Sequence, residues 1–219
     1  MRDVELVIFD CDGTLVDSEV LSAAALADAL TEHGLPTSAA EARREYEGML
    51  LGEIDARARA KLGRPLPEDW LEHFERDRAE RFRSELKPIA GAAAAVQQIQ
   101  AAGVGVCVAS QGKLEKTRLT LELTGLRSLF EQTQLFSAWS VPRGKPHPDL
   151  FLHAADAMGT APAGCVVVED SRSGVAAAVA ARMRAVGYAP DGDGAALRKA
   201  GAGEIIGSLQ QLPKLLGLC

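Results

Sequence analysis

The sequence has few cysteines and no long apolar run. Its four cysteines form no CxxC pair, which argues against a zinc ribbon and a disulfide framework; they are Cys11, Cys107, Cys165 and Cys219. No apolar stretch approaches the roughly 18 residues that a membrane span needs. The first residues are acidic early, and the apolar run after them is too short for a secretory signal. We therefore expect a cytoplasmic protein with no membrane partner.

The sequence also lacks a basic excess. It has 24 Lys and Arg against 30 Asp and Glu, a formal net charge of -6 and a pI near 5.3. Nucleic-acid backbones are bound by clustered Lys and Arg, so we expect no nucleic-acid partner. A small phosphorylated metabolite needs only a few well-placed donors and is compatible with this charge. The 219 residues, 47% of them hydrophobic, suffice for one large domain or one domain with a small insert. We expect a monomer.

Short apolar runs alternate with helical patterns over most of the chain. Such runs, when rich in Val and Ile, are typical of strands buried on both faces. They occur at residues 6–9, 104–109 and 165–168, and weaker ones follow at 184–188 and 204–206. Helical patterns of about 10 to 15 residues separate them, for example at 91–102, 114–124, 149–158 and 173–181. This alternation predicts an α/β fold with a parallel sheet flanked by helices.

The stretch between the first strand and residue 86 is helical throughout. Apolar residues repeat there at four-residue spacing, as in Ile54, Ala58 and Leu62, or in Trp70, Phe74 and Phe82 with Arg78 between them. Such stripes are typical of a helical core. Ser18 is a candidate N-cap and Gly34 a candidate helix end. We predict an inserted all-helical domain at residues 17–86 and an α/β core at residues 1–16 and 87–219.

Polar residues follow several of the predicted strands. Ligands of open parallel sheets bind at the carboxyl ends of the strands, where this chain has Asp10 with Asp12, Ser110, and Glu169 with Asp170. Lys145 lies in a proline-rich loop. Taken singly, the acids and the serine could be turn or helix-capping residues, and the lysine could be solvated. Together they predict a site for phosphoryl transfer and a metal ion.

The order of these residues resembles the haloacid dehalogenase superfamily. The segment Asp-Cys-Asp-Gly-Thr-Leu-Val-Asp at 10–17 is similar to its first motif, Ser110 to its second, Lys145 in Gly-Lys-Pro-His-Pro-Asp to its third, and Val-Glu-Asp-Ser at 168–171 to its fourth. The resemblance implies a Rossmann-like sheet with a helical cap, and it is greatest for the sugar-phosphatase and β-phosphoglucomutase-like branch. Gln111 departs from the pattern, because relatives commonly carry Asn after the Ser or Thr.

The resemblance implies a phosphatase that works through an aspartyl-phosphate. Asp10, with an ordinary pKa of about 3.9, is a carboxylate at pH 7 and would be the nucleophile. Each like-charge pair between it and a phosphoryl dianion would cost roughly 4 kcal/mol at 4 Å and an effective dielectric of about 20, so a metal is needed. The implied Mg²⁺ ligands are Asp10, the main-chain carbonyl of Asp12, and Asp170, with Glu169 as a further ligand or a partner behind them.

The remaining residues of the motifs have implied roles toward the substrate. Ser110 and Lys145 would hold phosphoryl oxygens, with Gln111 and Thr14 also at the substrate. Asp12 lies two residues after Asp10 in an extended segment and therefore on the same face. It would protonate the leaving alcohol and then activate water. Thr14 would fix Asp12 by a hydrogen bond.

Other functions of the same superfamily are weighed against this one. A sugar-phosphate mutase would keep the same residues but needs a cation from the cap, and Gly-Met-Leu-Leu-Gly-Glu at 48–53 has no Arg or Lys. A phosphoglycolate phosphatase is another alternative. Dehalogenases and phosphonate hydrolases lack the second aspartate, so Asp12 argues against both. The intact motifs argue against a non-catalytic binding module. We therefore expect hydrolysis of a small phosphorylated metabolite, a sugar or sugar-acid phosphate.

Overall fold

The computed structural model describes residues 4–46, 49–190 and 192–218. These residues form six strands, β1 to β6, which are Leu6–Phe9, Gly105–Ser110, Leu135–Ser137, Cys165–Glu169, Arg184–Tyr188 and Glu204–Ile206. They also form ten α-helices, α1 to α10, which are Glu19–Glu32, Ala39–Tyr46, Leu51–Leu62, Trp70–Glu85, Ala92–Ala101, Leu114–Leu123, Asp149–Ala157, Arg172–Ala180, Ala195–Ala200 and Leu212–Leu215. None of the described helices has both the length and the apolar character that crossing a membrane requires.

The chain divides into two compact units. One unit contains the residues up to Val16 together with those from Pro88 onward, and the other is Asp17–Lys87. The second boundary predicted from the sequence lies one residue earlier, between residues 86 and 87.

The first unit is built on one parallel sheet with the strand order β3-β2-β1-β4-β5-β6. The chain proceeds from β1 to β2 and β3 on one side, then returns to place β4 on the other side of β1. The strand order therefore reverses between β1 and β4, and ligands of open α/β sheets bind outside the carboxyl ends of the strands at such a point. The predicted fold class is confirmed.

Both faces of the central strands are buried. Leu6 and Ile8 on one face of β1 pack in a cluster with Leu150 and Phe151 of α7 and Val175 of α8. Successive residues of a strand point to opposite faces, so the side chains between them in β1 form part of the other face, where they are equally excluded from solvent. This double burial explains why the strands are continuous apolar runs rather than alternating ones.

Strand β3 was missed by the sequence analysis. It has only three residues and pairs with β2 at the edge of the sheet, where Val108 lies opposite Leu135. Three residues are too few to show a period, and a polar segment directly precedes them. Strand β3 nevertheless positions Ser137, whose hydroxyl donates a 2.7 Å hydrogen bond to the carbonyl of Gly112, two residues after Ser110.

The second unit is a four-helix assembly of α1 to α4 among the residues described. Its core contains residues of both predicted stripes: Ile54, Ala58, Trp70 and Phe74 are buried in one cluster with Leu26 and Leu30 of α1. The Trp70 indole donates a 2.7 Å hydrogen bond to Asp55, and the Arg78 guanidinium lies 4.8 Å from the centre of the Phe74 ring. Ser18 precedes α1, but its side chain does not cap that helix. Gly34 follows the end of α1 with a left-handed φ of 87°, which favours glycine.

Candidate active site

Three strands deliver the predicted polar residues to one edge of the sheet. Ser110 is the last residue of β2, Glu169 is the last residue of β4, and Asp10 directly follows β1. The register places Phe9 opposite both Val108 and Val168, so the residues that follow on the three strands are neighbours. The Asp10 amide donates a 3.0 Å hydrogen bond to the carbonyl of Val168, which continues the β1–β4 pairing up to the site.

Lys145 is buried at the centre of this edge. Its ammonium donates hydrogen bonds to Asp10 Oδ1 at 2.5 Å, to Glu169 Oε1 at 2.6 Å and to the carbonyl of Ala109 at 3.1 Å. An ammonium has three donors, so all of them are used by the protein. The lysine thus joins the ends of β1, β2 and β4 as well as placing a positive charge beside Asp10.

Glu169 is fully buried and is held on both of its oxygens. Oε1 accepts from Lys145, and Oε2 accepts from the amide and the hydroxyl of Ser171 at 3.0 and 2.8 Å. The same Ser171 hydroxyl accepts from the Gly174 amide at 3.0 Å and so caps helix α8. A Cβ on Gly174 would lie 1.9 Å from the Glu169 carboxyl carbon, so only glycine leaves room for it. Ser171 was found from the sequence only as the last residue of the fourth motif, without this role, although Ser is a preferred N-cap residue; Gly174 was not identified.

The surroundings of Asp12 differ from the expectation. The predicted hydrogen bond from Thr14 to Asp12 is not formed, because the Thr14 hydroxyl donates to Asp170 Oδ1 at 3.2 Å instead. The turn after β1 carries Thr14 toward β4, which places its hydroxyl beside Asp170. Asp12 Oδ1 pairs instead with the ammonium of Lys116 from helix α6, and Asp12 Oδ2 lies 3.5 Å from the Ser110 hydroxyl. Lys116 was missed by the sequence analysis, since no motif marks it.

Gln111 contacts the backbone of the loop that contains Lys145. Its side-chain oxygen accepts a 3.0 Å hydrogen bond from the main-chain amide of Lys145. A Cβ on Gly144 would come within 2.7 Å of the Gln111 amide, so the two segments are in close contact. The longer side chain in place of the common Asn therefore reaches the backbone of the Lys145 loop. Its predicted role as a substrate contact stays a prediction.

The buried charges strongly affect one another. Burial raises the pKa of Asp10 to about 7; Lys145 opposes this shift, while Glu169 and Asp12 add to it. Burial by itself would lower the pKa of Lys145, but Asp10 and Glu169 overcome that effect and hold the pKa above its ordinary value. The lysine therefore stays charged at neutral pH. Burial also raises the pKa of the Cys11 thiol well above its ordinary value, so Cys11 is not a competing nucleophile.

Three carboxylates of this edge are arranged to fit a cation. Asp10, Glu169 and Asp170 each offer an oxygen, and the three oxygens lie within 4.8 Å of one another. Asp10 and Glu169 are buried, and Lys145 is the ammonium that contacts both. Two buried carboxylates that share one ammonium leave a surplus of negative charge when both are ionised, and buried charge of one sign requires compensation. Hard oxygen ligands of this kind suit Mg²⁺ or Ca²⁺.

Comparison with known proteins agrees with this geometry. A family model for haloacid dehalogenase-like hydrolases matches residues 4–182. The 6-phosphogluconate phosphatase of Escherichia coli K12 is 34% identical over 192 residues, which are 87% of this chain and 85% of that protein. A hydrolase of this family from Deinococcus radiodurans, solved with bound phosphate and sodium, has a TM-score of 0.79 and 32% identity, covering 100% of this chain and 98% of that one.

A second solved structure belongs to the mutase-like branch. A predicted β-phosphoglucomutase from Thermotoga maritima has a TM-score of 0.79 and 25% identity, covering 98% of this chain and 99% of the other. The resemblance inferred from the motifs, including its branch, is thereby confirmed. The chain belongs to the haloacid dehalogenase-like hydrolases and is a phosphoric monoester hydrolase of that family.

Proposed function

We propose that the protein is a magnesium-dependent phosphatase that hydrolyses a small sugar or sugar-acid phosphate through an aspartyl-phosphate on Asp10. The observation that carries the proposal is the buried contact of Asp10 with Lys145 beside Asp170 and Glu169. A carboxylate at the end of a strand is directed at the place where ligands of such sheets bind, and the ammonium beside it supplies a positive charge close to a bound phosphoryl group.

Two proton transfers complete the reaction. An oxygen of Asp10 attacks phosphorus, the bond from phosphorus to the ester oxygen breaks, and the leaving oxygen takes a proton from Asp12. Asp12, now a carboxylate, then accepts a proton from water as the water oxygen attacks the phosphorus of the aspartyl-phosphate. Inorganic phosphate leaves, and Asp10 is a free carboxylate again. The Ser110 hydroxyl, 3.5 Å from Asp12 Oδ2, would bind a phosphoryl oxygen in both steps.

Asp10, Asp170 and the carbonyl of Asp12 would hold Mg²⁺. When bound, the ion supplies the positive charge that offsets repulsion between Asp10 and the phosphoryl dianion, and it favours ionised Asp10 against the raised pKa. Glu169, with both oxygens engaged by Lys145 and Ser171, fits better as the residue that fixes the lysine than as a direct ligand.

The substrate class is proposed from similarity. The 6-phosphogluconate phosphatase that is 34% identical to this chain acts on a sugar-acid phosphate by its name. The likeness to a predicted β-phosphoglucomutase keeps a mutase as the second candidate. Met49 to Glu53 contain no cation for a distal phosphate, and Gly48 lies outside the described residues. Hydrolysis is therefore favoured. The negative net charge is compatible with a small metabolite as the partner and disfavours nucleic acid. We expect the protein to act as a monomer in the cytoplasm.

Phosphate release from a panel of phosphorylated metabolites tests this function. We expect Mg²⁺-dependent turnover of sugar or sugar-acid phosphates, loss of activity in excess chelator, and poor replacement by Ca²⁺, whose looser coordination disturbs in-line geometry. Asp10→Asn should abolish turnover, whereas the control Asp17→Asn, at an exposed position, should retain it. Full activity in chelator or in Asp10→Asn would refute the mechanism. Glucose 6-phosphate accumulating from β-glucose 1-phosphate faster than free phosphate would identify a mutase, and preference for phosphoglycolate would correct the substrate class.

A further inference from the structure

Asp12 is held by a lysine from a different part of the chain. Lys116 is the third residue of helix α6, and its ammonium pairs with Asp12 Oδ1 across 104 residues of sequence. The Lys116 side chain is 12% exposed, whereas that of Asp12 is 30% exposed. The contact therefore joins a partly open loop after β1 to a helix that packs on the sheet.

The backbone next to this pair is shaped to admit it. Gly112 lies between the two partners: a Cβ there would be 3.3 Å from Lys116 Cδ, 3.4 Å from Ser110 Oγ and 4.0 Å from Asp12 Oδ2. The Gly112 amide in turn donates a 3.1 Å hydrogen bond to Ser110 Oγ. The loop after β2 thus places Ser110, the lysine stem and the Asp12 carboxyl around one glycine, inside the first unit.

We propose that Lys116 is a positioning residue, which fixes the Asp12 carboxyl in the direction of the leaving-group oxygen. The proposal rests on the proposed function, in which Asp12 transfers protons. A general acid works only within hydrogen-bond reach of the atom that it protonates, and misplacement by about 1 Å can reduce a rate on the order of 100-fold. A carboxyl on a loop is aligned best by a partner on a rigid element, and α6 is such an element.

A stabilising ion pair would be the simpler role, and the two roles predict different kinetics. Part-exposed ion pairs contribute about 0 to 1 kcal/mol to stability and would affect every substrate alike. A positioning role depends on the leaving group. An alkyl ester needs its oxygen protonated as the bond breaks, whereas 4-nitrophenolate leaves as the anion. The ratio kcat/KM reports the steps up to departure of the leaving group, so it isolates this proton transfer from the later attack of water.

The experiment compares Lys116→Met with Lys116→Arg, using Lys113→Met as the matched control. Lys113 directly precedes helix α6, and its ammonium lies 5.2 Å from the centre of the Trp139 ring. The substrates are 4-nitrophenyl phosphate and whichever alkyl phosphate of the panel is hydrolysed fastest. For Lys116→Met we expect kcat/KM to fall on the order of 10- to 100-fold for the alkyl ester and less than about threefold for the aryl ester. Lys116→Arg should recover most of the loss, and Lys113→Met should show none.

Equal losses for both esters would overturn the proposal, because they would indicate a structural role or direct substrate binding. Unchanged alkyl ester hydrolysis in Lys116→Met, or the same selective loss in Lys113→Met, would overturn it too. Thermal unfolding of each variant checks the fold, and Lys116→Arg serves as the second variant if the methionine protein does not fold. The wild-type enzyme and Asp10→Asn decide the proposed function independently, so the two proposals can fail separately.

Discussion

Gly174→Ala tests whether Glu169 and Lys145 hold the site together. The added Cβ would lie 1.9 Å from both Cδ and Oε1 of Glu169. Atoms in contact are normally about 3.5 Å apart, so the carboxyl must move by about 1.5 Å. The 2.6 Å contact of Oε1 with the Lys145 ammonium cannot survive a shift of that size.

The magnitude follows from the burial of both groups. A buried ion pair that loses one partner costs about 3 to 5 kcal/mol, and alanine in a helix returns up to about 1 kcal/mol relative to glycine. We expect the free energy of unfolding, measured in urea, to fall by about 2 to 4 kcal/mol. Because Lys145 also contacts Asp10, kcat/KM should fall on the order of 100-fold.

Gly192→Ala is the matched control, because a Cβ there meets nothing within 4 Å. It should change the unfolding free energy by no more than about 0.5 kcal/mol. The reasoning is refuted if Gly174→Ala behaves like this control in both assays. In that case neither the placement of Glu169 nor its contact with Lys145 would matter to the site.

Three further predictions concern stability. Because the pKa of Asp10 is raised from 3.8 to about 7, the metal-free protein should lose stability as the pH rises through that interval. Asp10→Asn should lack this pH-dependent loss, and an equal pH profile for both proteins in chelator would contradict it. Ser171→Ala removes the N-cap of α8 and a hydrogen bond to buried Glu169. The free energy of unfolding, measured in urea, should therefore fall by about 2 to 4 kcal/mol, and a fall below about 1 kcal/mol would contradict this expectation. Trp70→Phe removes a hydrogen bond from a buried indole to Asp55. The free energy of unfolding of the Asp17–Lys87 unit should fall by about 1 to 3 kcal/mol, and an unchanged melting curve would count against that contact.

The strands and the helical insert could be predicted because they depend on local sequence patterns. Continuous apolar runs marked β1, β2 and β4, since strands buried on both faces need apolar residues at every position. Weaker runs, each beginning with a charged residue, marked β5 and β6. The four-residue stripes that contain Trp70 and Phe74 marked helices that pack on one another. Strand β3 escaped because three residues at an edge depend on pairing with β2, which no local pattern records.

The sequence by itself determined which residues stand at the ends of the strands, because a parallel sheet aligns its carboxyl ends whatever the details of packing. Asp10, Ser110 and Glu169 were found in that way. Tertiary structure alone decided which partner each side chain takes: Thr14 turns to Asp170, and Lys116 holds Asp12 across 104 residues. It also decided that Gly174 must lack a side chain, because Glu169 occupies the space. Contacts between distant segments depend on distances of a few tenths of an ångström in the packed molecule, and those distances exist only after the strands and helices have come together.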